Sequence, residues 1–352
     1  MDERQTQLAN WAAATLALPE GETRLTTVSG DASFRRYFRL KLTSRTVIAV
    51  DAPPEHEDNP RFVKVAQLMR EAGVCVPEII AADLAQGFLL LSDLGDELYL
   101  PTLLQSQESG TSDVAEHLYG LAITALVQLQ QGVDKERLEP YDRNQLRTEM
   151  ALFDEWFCRG LMELELDAGE MAVIEQAYDF LEEAALAQTQ VAVHRDYHSR
   201  NLMVLDGKSE TMTGPGVIDF QDAVSGAYTY DLVSMLRDCY IRWPVEQVEQ
   251  WALVYLREAT AANVLVDITP ATLMRDFDLM GLQRHFKVLG IFSRLSLRDN
   301  KTGYLADIPL VIRYFLEVAD KYPEMAEFVA WFRQRVLPVA TDKLNLDREC
   351  EQ

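Results

Sequence analysis

Two short polar stretches hold the residue types that chemistry needs. The first runs Val193-His194-Arg195-Asp196-Tyr197-His198-Ser199-Arg200-Asn201, and the second is Ile218-Asp219-Phe220. A carboxylate at Asp196, on a loop behind a short apolar strand, can accept the hydrogen bond of an attacking hydroxyl and hold it in line. Asn201 and Asp219, at the ends of neighbouring strands, offer hard oxygen ligands of the kind Mg²⁺ takes. Phosphoryl transfer asks the protein for little else: in-line positioning, and cation charge on the phosphate oxygens. Asp196, His194 and Asn201 form the expected catalytic set, with His194 buttressing the loop rather than reacting. Asn201 and Asp219 form the expected metal pair.

Other readings of the same residues are weaker. His194 and His198 are four apart, as in a zinc-binding helix. That pattern needs a Glu directly after the first His, and a helix to carry it. Here Arg195 follows, and the flanks read as strand. Asp219-Phe220 alone would be an ordinary strand end. Asp222 is close enough to assist a metal, and serves equally well as a cap for the next segment.

Separate elements must position these residues. Residues 3–17 read as an amphipathic helix with Leu8, Trp11, Ala12 and Leu16 on one face. Leu25 to Val28, Phe34 to Leu40 and Thr46 to Val50 read as a meander with a turn at Gly30-Asp31. Asn59-Pro60 opens a helix that Gly73 ends, and two more strands follow at Glu78 to Ala82 and Phe88 to Leu91. After Asp93 helical periodicity dominates, over 113–130, 143–165, 170–188, 230–240, 244–260, 269–297 and 306–338. Only 191–220 interrupts it. The expected fold is α+β and two-lobed: a small β-rich N-lobe over 1–92 and a larger, mainly helical C-lobe over 93–352.

Composition narrows the partners. The chain has 352 residues, with 33 basic and 56 acidic side chains, a net charge of −23. Such a surface repels phosphate backbones and anionic lipid, so nucleic acid and membrane are not expected partners. Cys75, Cys158, Cys239 and Cys350 are scattered, with no CxxC pair. That fits a reducing cytoplasm and excludes a disulfide scaffold. No secretory leader is expected, and no run of about 18 apolar residues occurs in the sequence. A cytoplasmic monomer is expected.

His194, Arg195, Asp196 and Asn201 match the H-R-D-x-x-x-x-N loop of kinases, and Asp219-Phe220 matches D-F-G, with Gln221 in place of Gly. With the turn Ser29-Gly30-Asp31-Ala32-Ser33 and the segment Leu90-Leu91-Ser92-Asp93-Leu94-Gly95, the chain resembles the aminoglycoside phosphotransferase family over nearly its whole length. Ile218 to Ala223, Thr229 to Ser234 and Gln283 to Gly290 resemble a branch of that family. This branch phosphorylates the anomeric hydroxyl of N-acetylated amino sugars in cell-wall recycling, towards UDP-N-acetylmuramate.

The resemblance implies ATP, with GTP as the alternative, together with Mg²⁺ and an amino sugar. It implies nucleotide contacts from Gly30, Asp31, Ser33, Phe34 and Arg35 over the phosphates. The backbone of Leu91, Ser92, Asp93 and Leu94 would lie along the base. Substrate contacts are implied for Asp196, Arg200, Asp222, Asp231, Arg284 and His285.

One position departs from the pattern. Val50 or Asp51 stands where the third strand of kinases carries Lys, and the helix at 60–72 offers no obvious Glu partner. Arg35, Arg36, Arg39 and Lys41 are the candidate substitutes.

The segment 282–301 reverses the chain's acidic balance, with Arg284, His285, Lys287, Arg294, Arg298 and Lys301. Arg284, Lys287, Ile291, Arg294 and Arg298 fall at helical spacings, and this face would serve a substrate carboxylate, or simply solvent and salt bridges. Asp231 and Asp238 would hold sugar hydroxyls or cap helices. A kinase for choline, homoserine or an aminoglycoside, a nucleotide-binding pseudokinase and a metal-dependent hydrolase are the rival readings.

Overall fold

The computed structural model describes residues 2–18, 23–28, 34–205, 214–344 and 346. Gly30, Asp31 and Ser33 lie outside these residues.

The N-lobe begins with α1 (Glu3–Thr15), capped by the Asp2 side chain. Five strands follow: β1 (Leu25–Thr27), β2 (Arg36–Lys41), β3 (Thr46–Asp51), β4 (Ile79–Asp83) and β5 (Phe88–Ser92), with α2 (Asn59–Glu71) between β3 and β4. The antiparallel sheet runs β1-β2-β3-β5-β4. Strand alternation gives it two faces. Phe38, Leu40, Val47, Ala49, Phe88 and Leu90 pack under Leu8 and Ala12 of α1. Val50, Leu89 and Leu91 join Phe62, Val65 and Met69 of α2 in the main core.

The C-lobe holds α3 (Tyr99–Ser109), α4 (Ser112–Gly132), β6 (Glu139–Pro140), α5 (Arg143–Met150), a π-helical segment (Phe153–Leu161) and α6 (Ala168–Ala187). Next come β7 (Gln190–Val193), the hairpin β8 (Leu202–Met203) with β9 (Gly216–Val217), and β10 (Val224–Ala227). The rest is α7 (Tyr230–Leu236), α8 (Val245–Ala261), α9 (Pro270–Asp299), α10 (Ile308–Ala319), α11 (Ala326–Trp331) and α12 (Leu337–Leu344). A second core, rich in Phe153, Phe157, Phe286, Phe315, Phe328 and Phe332, packs α9 against α6, α10 and α11.

Most elements fall where the periodicity predicts. α3 does not, because Pro101 and a polar second half obscure it; the proline sits in the first turn, where no intrahelical N–H is lost. The expected helix over 143–165 is broken after Met150. Its Leu152 presses into α9 at Gly290, where an added Cβ would lie 2.4 Å from the Leu152 carbonyl carbon. The pattern over 306–338 divides at Pro323. Among the described residues, no helix is long and apolar enough to cross a membrane.

A backbone bond joins the lobes where the site lies: Val217 N–H donates to Cys75 O at 2.7 Å. Within the C-lobe, Val204 N–H donates to Glu97 O at 2.8 Å and Leu100 N–H to Ser199 O at 3.0 Å.

Candidate active site

β7 delivers His194 to Asn201 in a loop whose backbone is tied down at both ends by buried carboxylates. Asp231, on the first turn of α7, accepts from the His194 N–H at 2.6 Å and the Arg195 N–H at 2.9 Å. These bonds hold Arg195 in the left-handed region, φ 79°. Asp238, just past α7, accepts from the Ser199 N–H at 3.0 Å, from its hydroxyl, and from the Tyr240 N–H at 3.1 Å. Both carboxylates are buried. Burial raises the Asp231 carboxyl to about 7, against the pull of the two loop amides. Asp231 therefore holds the loop, a correction to the substrate role expected for it. The alternative of sugar ligands or helix caps gives way, for both residues, to anchoring of the loop backbone.

His194 is a structural strut. Its Nδ1 takes the Asp196 N–H at 3.2 Å and its Nε2 lies 3.1 Å from Ile218 O, which fixes the Nε2–H tautomer. Burial lowers its pKa to about 4, so the ring stays neutral near pH 7.

Asp196 is partly exposed. Desolvation would raise its carboxyl, but the charges of Lys287 and Arg284 outweigh this and hold it at about 2. Lys287 is buried on α9, with its Nζ 3.2 Å from Glu149 Oε2 and 2.9 Å from the Tyr230 hydroxyl. Glu149 also accepts from Arg195 and Tyr141. A buried network of Glu149, Arg195, Lys287, Tyr141 and Tyr230 thus backs the loop.

Asn201 and Asp219 meet as expected. Asn201 Nδ2 donates to Asp196 O at 3.0 Å and to Asp219 Oδ2 at 3.3 Å, which leaves its Oδ1 for a cation. Asp219 takes a left-handed backbone, φ 63°. Gln221 Nε2 donates to Asp219 Oδ1 at 2.9 Å, while Gln221 Oε1 is buried without a partner. The donor set fits Mg²⁺: few hard oxygens, in an open arrangement that leaves coordination positions for phosphate and water. Among the described residues no group of three or more His, Cys, Asp or Glu could close a metal cage. Asp222 stands apart, with an exposed side chain. Phe220 is buried against Phe62 of α2, ring centroids 4.9 Å apart.

On the N-lobe side the candidate cations separate. Arg36 faces α1, where it and Arg4 pair with the buried Asp51. Arg39 spans to Asp93 at 2.6 Å and Asp96 at 2.8 Å. Lys41 is exposed. Arg35 is buried beneath the cleft side of the sheet, 5.1 Å over the Phe62 ring and 3.0 Å from Glu57 Oε2. Glu57 Oε1 also takes the Phe34 N–H at 3.0 Å. The acidic partner thus comes from just ahead of α2, not from within it. Phe34 itself is exposed and stacked on His56.

Along the connection between the lobes, Leu91 is buried, Ser92 is tied to Glu78, and Asp93 caps the Gly95 N–H at 3.0 Å. Leu94 packs with Met203, Leu205 and Ile218. Met203 and Ile218 extend the apolar lining beyond the residues expected from sequence.

On the acceptor side, Arg200 is exposed and its guanidinium lies 3.5 Å over the Tyr240 ring. Arg284 is buried under the loop, 5.3 Å over Tyr230. His285 is not at the site: it is 2% exposed and stacked on Tyr314 in the interior, because α9 turns its next residue away from the loop.

Residues 24–266 match the family described as "Phosphotransferase enzyme family". The chain belongs to this family. It is 42% identical over 299 residues, 85% of each chain, to the N-acetylmuramate/N-acetylglucosamine kinase of Pseudomonas aeruginosa. It is 39% identical to the protein of that name from Neisseria meningitidis, over 93% of this chain and 95% of the relative. Solved structures share the fold at low identity. An ADP-bound aminoglycoside phosphotransferase superposes with TM-score 0.59 at 12% identity, covering 90% of this chain and 99% of the other. A choline kinase from Streptococcus pneumoniae gives 0.61 at 10%, covering 90% and 100%. The kinase-like, two-lobed fold expected from the sequence is the fold observed.

Proposed function

We propose that this chain transfers the γ-phosphate of ATP, or of GTP in its place, to the anomeric hydroxyl of N-acetylmuramate and N-acetylglucosamine, with Mg²⁺. The observation that carries the reading is the ionised Asp196 next to the Asn201–Asp219 oxygen pair, in a chain with relatives of that printed name at about 40% identity. The product would be the sugar 1-phosphate, the form from which UDP-N-acetylmuramate is made.

Asp196 accepts the hydrogen bond of the anomeric hydroxyl and aligns it on the phosphorus. With a pKa of about 2 the carboxylate is a weak base, so it orients more than it deprotonates. That suits a loose transition state, in which the proton leaves late. Asn201 and Asp219, with Gln221 beside them, would hold Mg²⁺, which supplies charge neutralisation on the phosphate oxygens. Arg35, braced by Glu57, takes the part that the third-strand Lys plays in kinases. Leu91 to Leu94 border the base, and Arg200 and Tyr240 flank the acceptor. The protein acts as a monomer in the cytoplasm.

³¹P NMR of the protein with Mg-ATP and each sugar tests the reading, with kanamycin in parallel. A phosphomonoester signal coupled to the anomeric proton is expected with the two amino sugars. Intact nucleotide with both sugars would overturn it, and phosphorylated kanamycin alone would move the acceptor to aminoglycosides.

A further inference from the structure

Arg284 is a buried cation whose partners are the Tyr230 side chain and, at longer range, the Asp196 carboxylate. It is 6% exposed, and no carboxylate of the described residues lies within ion-pair distance. Its Nε is buried without a hydrogen-bond partner. The neighbouring buried cations differ. Lys287 and Arg195 share Glu149, and Arg237 pairs with Asp278.

The guanidinium lies over the Tyr230 ring, and its charge acts on Asp196, His198, Asp231 and Cys239 alike. Asp196 and His198 lie on the catalytic loop, Asp231 on α7 beneath it and Cys239 just past α7. Nearby His198 also has a buried, unpartnered Nδ1. Desolvating a guanidinium without a paired anion costs free energy, and a folded protein recovers that cost when an anion arrives.

The two acceptors named for the relatives differ by one anionic group. N-acetylmuramate is N-acetylglucosamine with a lactyl ether on O3, and the lactyl group ends in a carboxylate. The transferring phosphoryl group is the other anion near Asp196. Asn201 and Asp219 would serve that group through the metal they would hold, whereas Arg284 comes from α9, behind the loop.

Resting on the sugar-kinase reading, we infer that Arg284 is the residue that recognises the lactyl carboxylate and so distinguishes the two acceptors. A guanidinium offers two parallel N–H donors to a carboxylate, so the contact fixes the position of the sugar ring as well as its charge.

The test compares kcat/KM for both sugars in the wild type, Arg284→Gln and Arg284→Lys. Losing a hydrogen-bonded charge contact costs about 10- to 100-fold. Both sugars share whatever Asp196 loses with the Arg284 charge, so in Arg284→Gln the loss with N-acetylmuramate should exceed the loss with N-acetylglucosamine by that factor. Arg284→Lys, which keeps the charge, should restore part of the difference. Thermal melting gives a second readout. Ligand-free Arg284→Gln should melt at or above the wild-type temperature. The extra stabilisation that N-acetylmuramate gives over N-acetylglucosamine should vanish in it.

Equal losses of kcat for both sugars would overturn the inference and assign Arg284 to the phosphoryl group. A ligand-free variant that melts well below the wild type would overturn it too, since Arg284 would then be a structural cation. A wild type that phosphorylates neither sugar would instead remove the sugar-kinase reading, so the two failures are distinguishable.

Discussion

The two walls of the cleft hold their charged groups by different means. On the C-lobe wall each functional side chain is backed by a buried polar partner: Asp231 and Asp238 under the loop backbone, Ile218 O under His194, Glu149 behind Arg195 and Lys287. On the N-lobe wall the ties run between side chains of neighbouring elements: Arg35 to Glu57 and Arg39 to Asp93. In-line transfer needs the hydroxyl and the metal oxygens within narrow limits of position, and backbone anchors supply this. Phosphate charge can be balanced by any cation that reaches it, so this wall does not require a lysine on β3.

Four experiments would break or sharpen this contrast. The largest effect is expected for Asp196→Asn, which keeps the shape of the loop and removes the charge. Activity should fall about 10²–10⁴-fold, with the melting temperature nearly unchanged. Full turnover at saturating sugar would take the role from Asp196.

Asp231→Ala should behave in the opposite way. It strands two buried N–H groups, at roughly 1–3 kcal/mol each, so denaturant unfolding should register a loss of about 2–6 kcal/mol, and activity should fall with it. A stable but inactive Asp231→Ala would make Asp231 a ligand rather than an anchor.

On the other wall, Arg35→Met should raise the KM for nucleotide about tenfold, the effect of one charged contact, with the KM for sugar unchanged. Arg39→Met should move it less, because Asp93 and Asp96 already take up that guanidinium. The reverse order would make Arg39 the phosphate-facing cation.

The smallest effect is a pH slope. The folded-state pKa of His194, about 4, lies below the usual value of 6.5. Between those values the unfolded chain takes up a proton that the folded chain refuses, so stability falls as pH drops from 6.5 towards 4. Asp231, raised to about 7, acts in the other direction. His194→Asn should therefore lose stability less steeply on acidification than the wild type. An identical slope in pH-dependent melts would remove His194 as its source.

The catalytic loop was legible because its chemistry is local. Asp196, Asn201 and Asp219 sit at spacings that only short loops between strands satisfy, and the structure brings them together. Their supports were not legible as supports. Asp231 and Asp238 lie in the run from Tyr230 to Tyr240, where each charged residue interrupts an apolar stretch. Such a carboxylate must find donors when buried, but sequence does not say that the donors are amides some 37 residues earlier. Glu57 escaped notice because a partner was sought inside α2, and it lies before the helix begins. The resemblance places His285 beside Arg284 at the substrate, but it follows Arg284 directly, and the next position on a helix points about 100° away. α3 was hidden by its proline.

The replacement on β3 has a pharmacological consequence. Val50 lies in the core with α2 and Asp51 is clamped by Arg4 and Arg36, so this strand presents no amine to a bound nucleotide. The two lysines of the sheet-bearing lobe, Lys41 and Lys64, are both exposed. Nucleotide mimics that acylate the third-strand lysine of kinases will find no amine on this strand. Such reagents will leave this enzyme unlabelled, and a reversible inhibitor shaped to the Arg35–Glu57 pair would have a basis for selectivity over lysine-bearing kinases.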